Sequence, residues 1–71
     1  MTTVRDIQVR GEVIRLGQVL KVAGLAESGG EAKALLAAGA VTVNGEPEAR
    51  RGRQLVPGDV VAAGEEVVRV S

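Results

Sequence analysis

Between Leu16 and Leu36 the apolar residues recur at helical spacing, and from Val41 onward they alternate. That change of period constrains the fold more than any other feature, because a repeat of 3.6 residues and a repeat of two bury different faces. Leu16, Val19, Leu20 and Ala23 follow i, i+3, i+4, i+7 and predict one helix, with Gly24 placed to stop it in the left-handed conformation that glycine adopts cheaply. Ser28 and Glu31 open a second helix as a capping box: the hydroxyl accepts from the backbone N–H three residues on, and the carboxylate reaches back. Ala32, Leu35 and Leu36 form its inward stripe and Gly39 is its stop. On the helical wheel Lys33 falls beside this stripe and Lys21 well outside that of the first helix, so both ammonium groups are expected in water.

The second half predicts strands. Val41 and Val43 alternate into Asn44-Gly45, the strongest short hairpin signal, since both residues tolerate positive φ. Pro47 restricts the returning strand to a sheet edge. The stretch LVPGDVV predicts strand, Pro57-Gly58 turn and strand, and EEVVRV supplies a last strand. Upstream, Val4, Ile7 and Val9, bounded by Gly11, predict a short first strand, continued by Val13 and Ile14. The order is β-α-α-β-β-β, with no linker, repeat or low-complexity segment. It predicts a single α+β domain over residues 1–71, two helices packed on a small, mostly antiparallel sheet.

A chain of 71 residues builds a thin core. Without Cys or His it has neither disulfides nor the usual ligands of a zinc site, and no cofactor or metal is expected. The apolar share of 45% suits a globular chain rather than a disordered one. No apolar run approaches the roughly 20 residues of a membrane span, and the opening MTTVRDIQVRGEV lacks a signal-peptide stretch. A cytoplasmic protein with no membrane association is expected, and the absence of cysteine suits a reducing compartment.

Catalysis finds little material. With no His, Cys or Tyr, the paired carboxylates Glu46/Glu48 and Glu65/Glu66 are the main acid–base candidates, and both pairs fall in predicted turns or at strand starts, where acids are solvated. A glycosidase-like pair also needs a deep cleft. No enzyme is expected. The tail VPGDVVAAGEEVVRV is similar to the half-repeat of biotinyl and lipoyl carrier domains. Those domains present a lysine at a hairpin tip, whereas Lys21 and Lys33 lie on predicted helices here and a second half-repeat is missing.

Nine Lys and Arg balance nine Asp and Glu, yet Arg50, Arg51 and Arg53 stand within four positions. Such a run is either a solvated loop or a phosphate-binding patch. Arg15 precedes the first helix, and Lys21 and Lys33 lie on helix exteriors. Arginine's planar fork suits phosphate oxygens, and Gly29-Gly30 either loosen the start of the second helix or let an anion approach it closely. Spacing alone leaves open whether these groups share a face. The absence of Phe, Tyr and Trp excludes the aromatic base-stacking platforms that single-strand readers use.

RLGQVLKVAGLAESGGEAKALLAAGAVTVNG, residues 15–45, resembles the helix–helix–strand core of the small RNA-binding domain named after small-subunit ribosomal protein S-four, its αL motif. That pattern runs R-L-D-x-x-L, A-G-L-A, S-R-S-E-A-R-x-L-I and G-x-V-x-V-N-G, then V-x-x-G-D-x-V. Arg15, Leu16 and Leu20 match its first part, and Ser28, Glu31, Ala32, Lys33 and Leu35 the middle. Gly39, Val41, Val43, Asn44 and Gly45 match the strand entry; Val56, Gly58, Asp59 and Val61 match the end, so the resemblance spans 15–61. Gly17 departs from the pattern's Asp, removing a side-chain cap, and Gly29 from its usual Arg, removing an expected RNA contact.

The stretches ESGGEAK and EARRGRQLVPGDVV are similar to stand-alone bacterial members made of this domain alone. The resemblance implies a non-catalytic protein that binds structured RNA, ribosomal or transfer RNA, as a monomer or weak dimer. Candidate contacts are Arg15, Lys21, Lys33, Asn44, Arg50, Arg51 and Arg53, with basic function shifted toward the three clustered arginines. Neutral net charge leaves open an alternative, a ribosome-associated or other adaptor whose arginines meet an acidic protein partner.

Overall fold

The structure is a computed structural model that describes residues 4–8 and 13–71. Two helices, α1 (Leu16–Val22) and α2 (Gly29–Ala37), lie where the helical period places them. Gly24 and Gly39 follow them with φ of 75° and 72°. The Ser28 hydroxyl accepts from the Glu31 N–H at 3.1 Å, capping α2. The returning half of the box, from the Ser28 N–H to the Glu31 carboxylate, is not among the hydrogen bonds of the described residues.

The strands are β1 (Val4–Ile7), β2 (Ile14–Arg15), β3 (Val41–Val43), β4 (Glu46–Pro47), β5 (Gln54–Leu55), β6 (Val60–Ala63) and β7 (Glu66–Val70). Five of them form one sheet in the order β1-β7-β6-β3-β4, antiparallel except where β1 runs parallel to β7. The fold is α+β; the returning strand at Pro47 and the strand before Pro57 form as β4 and β5, two residues each, and the expected order gains one further two-residue strand, β2. Asn44 and Gly45 both have positive φ, 52° and 86°, the requirement of a two-residue hairpin between β3 and β4. β4 is an edge strand that ends at Pro47, where the missing N–H stops the ladder.

Two expectations change. Ile14 does not continue the first strand: Ile14–Arg15 pairs antiparallel with Gln54–Leu55 in a separate two-stranded sheet. Ile14 is half-buried opposite the fully buried Leu55, and Arg15 must already be turning into α1. Val9 and Gly11, the other signals of that strand, lie outside the described residues. The Pro57-Gly58 turn forms, closed by a 3.0 Å bond from the Asp59 N–H to the Val56 carbonyl, but it joins two different sheets rather than two neighbouring strands.

The core lies between the helices and one face of the sheet. Leu16, Val19, Leu20 and Leu36 meet Val41, Val43, Val61, Val68 and Val70, with Leu55 of β5 closing one end, all at most 2% exposed. Burying each such side chain contributes about 1.5–3 kcal/mol, so this thin core has few residues to spare. On the opposite face the register aligns Val4, Val67, Ala62, Thr42 and Pro47 in one row across all five strands. No helix of the described residues is long and apolar enough to cross a membrane.

Candidate nucleic-acid interface

The arginine-rich stretch becomes a loop folded over the start of α1. β5 pairs with β2, which leads directly into the helix, so residues 48–53 are carried across the helix end. The carbonyls of Arg53 and Arg51 accept from the N–H groups of Leu16 and Gly17 at 2.8 and 2.9 Å. Those are two of the four donors that a helix start leaves without partners. The Gln18 side-chain oxygen accepts from the Arg15 N–H at 3.1 Å. The side-chain cap lost with glycine at position 17 is thus replaced by main-chain oxygens of the arginine loop.

Within that loop Glu48 takes two of the three arginines. Its carboxylate accepts from the backbone N–H groups of Ala49 and Arg50, at 3.0 and 3.2 Å. It also pairs with the Arg50 guanidinium at 3.3 Å and that of Arg53 at 3.0 Å. The Arg50 side chain first, then its N–H and the Arg53 side chain, hold the Glu48 carboxyl down at about 2. Its partner raises the Arg50 guanidinium above the usual arginine value. The Glu48 side chain is only 10% exposed, so this acid is a fixed part of the loop rather than one of a solvated pair.

Arg51 points elsewhere. Its stem crosses α1 at Gly17, where the Cβ of any other residue would collide with Arg51 Cγ. Its Nη1 reaches to within 3.6 Å of where a Cβ at Gly29 would stand, at the first turn of α2. Arg15, Gln18, Lys21 and Arg51 line one open cleft of about 340 Å³, floored by Gly17, Gly29, Ala32 and Gly52.

Among the described residues, Arg5 pairs with Glu66 and Arg69 with Asp6, while Arg15, Lys21, Lys33 and Arg51 have no described carboxylate within 4.0 Å. The fold therefore separates the candidates. It gathers Arg15, Lys21 and Arg51 and ties Arg50 and Arg53 to Glu48. Lys33 is exposed on α2 but does not line the cleft. Asn44 is committed to the hairpin, its Nδ2 donating to Asp59 at 3.0 Å and its Oδ1 accepting from the Val60 N–H at 2.9 Å. Asp59, which also accepts from the Val56 N–H at 2.9 Å, is held below the usual carboxylate range first by that bond and then by Asn44.

Sequence reasoning took Glu48 for a solvated acid and missed the space at Gly17. The signal for Glu48 was its place two and five residues ahead of two arginines, a spacing without periodic meaning in a loop. Gly17 had no such signal, because what it accommodates comes from a segment more than thirty residues away in sequence.

The β-α-α-β core carries the arginine loop across its first helix, and the chain belongs to the S4 domain family, whose model matches residues 7–71. That match is wider than the 15–61 over which the sequence motifs run. A probable ribosome maturation protein, RlbA of Bacillus subtilis (strain 168), is 53% identical over 55 residues, covering 78% of each chain. The solution structure of YbcJ from E. coli, described as revealing an αL motif involved in RNA binding, is similar with a TM-score of 0.65 and 31% identity. The likeness covers 99% of this chain and 87% of that one.

Proposed function

We propose that this protein is a non-catalytic binder of structured RNA, ribosomal or transfer RNA, acting in the cytoplasm on the ribosome or its precursors. The observation that carries the reading is the gathering of Arg15, Lys21 and Arg51 on one cleft with no described carboxylate within ion-pair distance, in a chain whose other described arginines are paired. Family membership and the relatives described as a ribosome maturation protein and an RNA-binding αL protein support it.

The chemistry is phosphate recognition. Guanidinium and ammonium groups neutralise backbone phosphates and release condensed counterions, which gives affinity without reading bases. With no aromatic side chain there is no aromatic platform for unstacked bases, and the A-form backbone is the feature within reach. Lys33, exposed on α2, extends the same positive surface to a neighbouring phosphate.

A gel shift tests this, with a stem–loop RNA and an unstructured strand of the same composition at low and moderate salt. Retarded stem–loop that is released by salt is the expected result. Failure to shift either RNA would overturn the reading and favour an acidic protein partner for the same arginines.

A further inference from the structure

A surface arginine ordinarily samples many rotamers and must be ordered when a ligand arrives, which weakens binding. The Arg51 stem, by contrast, lies across α1 in room that only a glycine leaves. At Gly17 its Cγ occupies the place of a side chain, with Cδ 3.1 Å and the Arg51 carbonyl 3.4 Å from where that residue's Cβ would be. At Gly29, on the first turn of α2, its Nη1 lies 3.6 Å from where a Cβ would stand, an ordinary contact distance. Ala in place of Gly17 would be the better helix former by intrinsic propensity, yet it cannot share that space with the arginine stem.

The position is electrostatically unfavourable by itself. A guanidinium beside a helix start meets partial positive charge of its own sign, and Arg15 and Lys21 line the same cleft. None of these three cations has a described carboxylate within 4.0 Å, whereas Arg50 and Arg53, one residue before and two after Arg51, share Glu48. What the arrangement lacks is an anion, and the planar fork of arginine suits two oxygens of one phosphate.

We propose that Gly17 is a positioning residue: it holds Arg51 in the cleft between α1 and α2, where the guanidinium grips one phosphate of the RNA backbone with Arg15 and Lys21 on either side. This rests on the RNA-binding reading above. Removing the arginine and displacing it should then have the same effect, although only the first changes the charge.

The test measures fluorescence anisotropy of a labelled stem–loop RNA against wild type, Gly17→Ala, Arg51→Ala and the double variant, each across a salt series. Gly17→Ala and Arg51→Ala should each weaken binding about tenfold, the scale of one charge-assisted contact. Each should also shallow the slope of log K against log salt by about 0.7–0.9, one phosphate. In the double variant the two effects should not add, because both remove the same contact. Thermal melts accompany the titrations: if Gly17→Ala alone fails to fold, the double variant should regain its fold and bind like Arg51→Ala, since the obstructing stem is gone. Gly17→Ala or Arg51→Ala binding with wild-type affinity and slope, or a double variant with additive losses, would overturn the proposal while leaving RNA binding in place. Wild type without affinity for the stem–loop would instead sink the RNA reading, and the proposal with it.

Discussion

Replacing Glu48 by glutamine should make the protein bind structured RNA more tightly and with a steeper salt dependence, although the substitution lies outside the cleft. The Glu48 carboxylate accepts from five N–H groups, two on the backbone and three on the guanidinium groups of Arg50 and Arg53. A neutral amide cannot act as the counter-charge of either arginine, so both become available to phosphates. At 0.7–0.9 per phosphate the slope of log K against log salt should steepen by about 1.4–1.8. The same variant should be less stable, because the loop that caps α1 loses its anionic anchor. An anisotropy titration at several salt concentrations reads the first effect and a denaturant midpoint the second. Glu48→Gln with wild-type slope and affinity would show that Arg50 and Arg53 either face away from the RNA or were never restrained by Glu48. As a corollary, Arg50→Ala with Arg53→Ala should cost the wild-type protein less RNA affinity than Arg51→Ala alone.

Three further outcomes follow from the fold. Gly45→Val places a β-branched residue at a φ of 86°, and a lower thermal midpoint equivalent to about 1–2 kcal/mol is expected; an unchanged melt would remove the hairpin assignment. Ser28→Ala deletes the one side-chain bond at the start of α2 and should lower the denaturant-derived stability by about 1 kcal/mol, a loss absent if the cap is idle. The folded Glu48 carboxyl, near 2, lies below its ordinary value of 4.5, so its contribution is fully present above pH 4.5 and lost as pH falls toward 2. Stability measured over that window should fall in wild type, and less in Glu48→Gln.

The helices and the hairpin were legible because their causes are local. Leu16, Val19 and Leu20 carry a period, Ser28 a cap, and Asn44-Gly45 a turn that only permissive residues make. The parallel pairing of β1 with β7 was not legible, since it joins the two ends of the chain and no local pattern selects that partner. Ile14 shows the same limit: its β-branched side chain announces a strand, but only the position of Leu55 decides which one it pairs with. At the site, residue types were readable and their arrangement was not. Gly17 read as the loss of a useful side chain, whereas in the fold it is the room that the Arg51 stem occupies. Glu48 is the converse case, a residue that looked solvated and instead neutralises two of the three arginines that first drew attention. Asn44 matched the family pattern at a candidate contact, and its side chain is spent on Asp59 and Val60.

The affinity of a stem–loop RNA across a salt series, for wild type and for a variant with Arg15, Lys21 and Arg51 all changed to alanine, tests the cleft most directly. With three or four phosphates neutralised, the wild-type slope of log K against log salt should be about −2 to −4, and the variant should lose about 2–2.7 of it. A control with Arg5→Ala and Arg69→Ala, both paired in the fold, should leave the slope unchanged. A cleft variant that binds like wild type, or a control that loses as much, would contradict the assignment of this cleft as the RNA-binding surface.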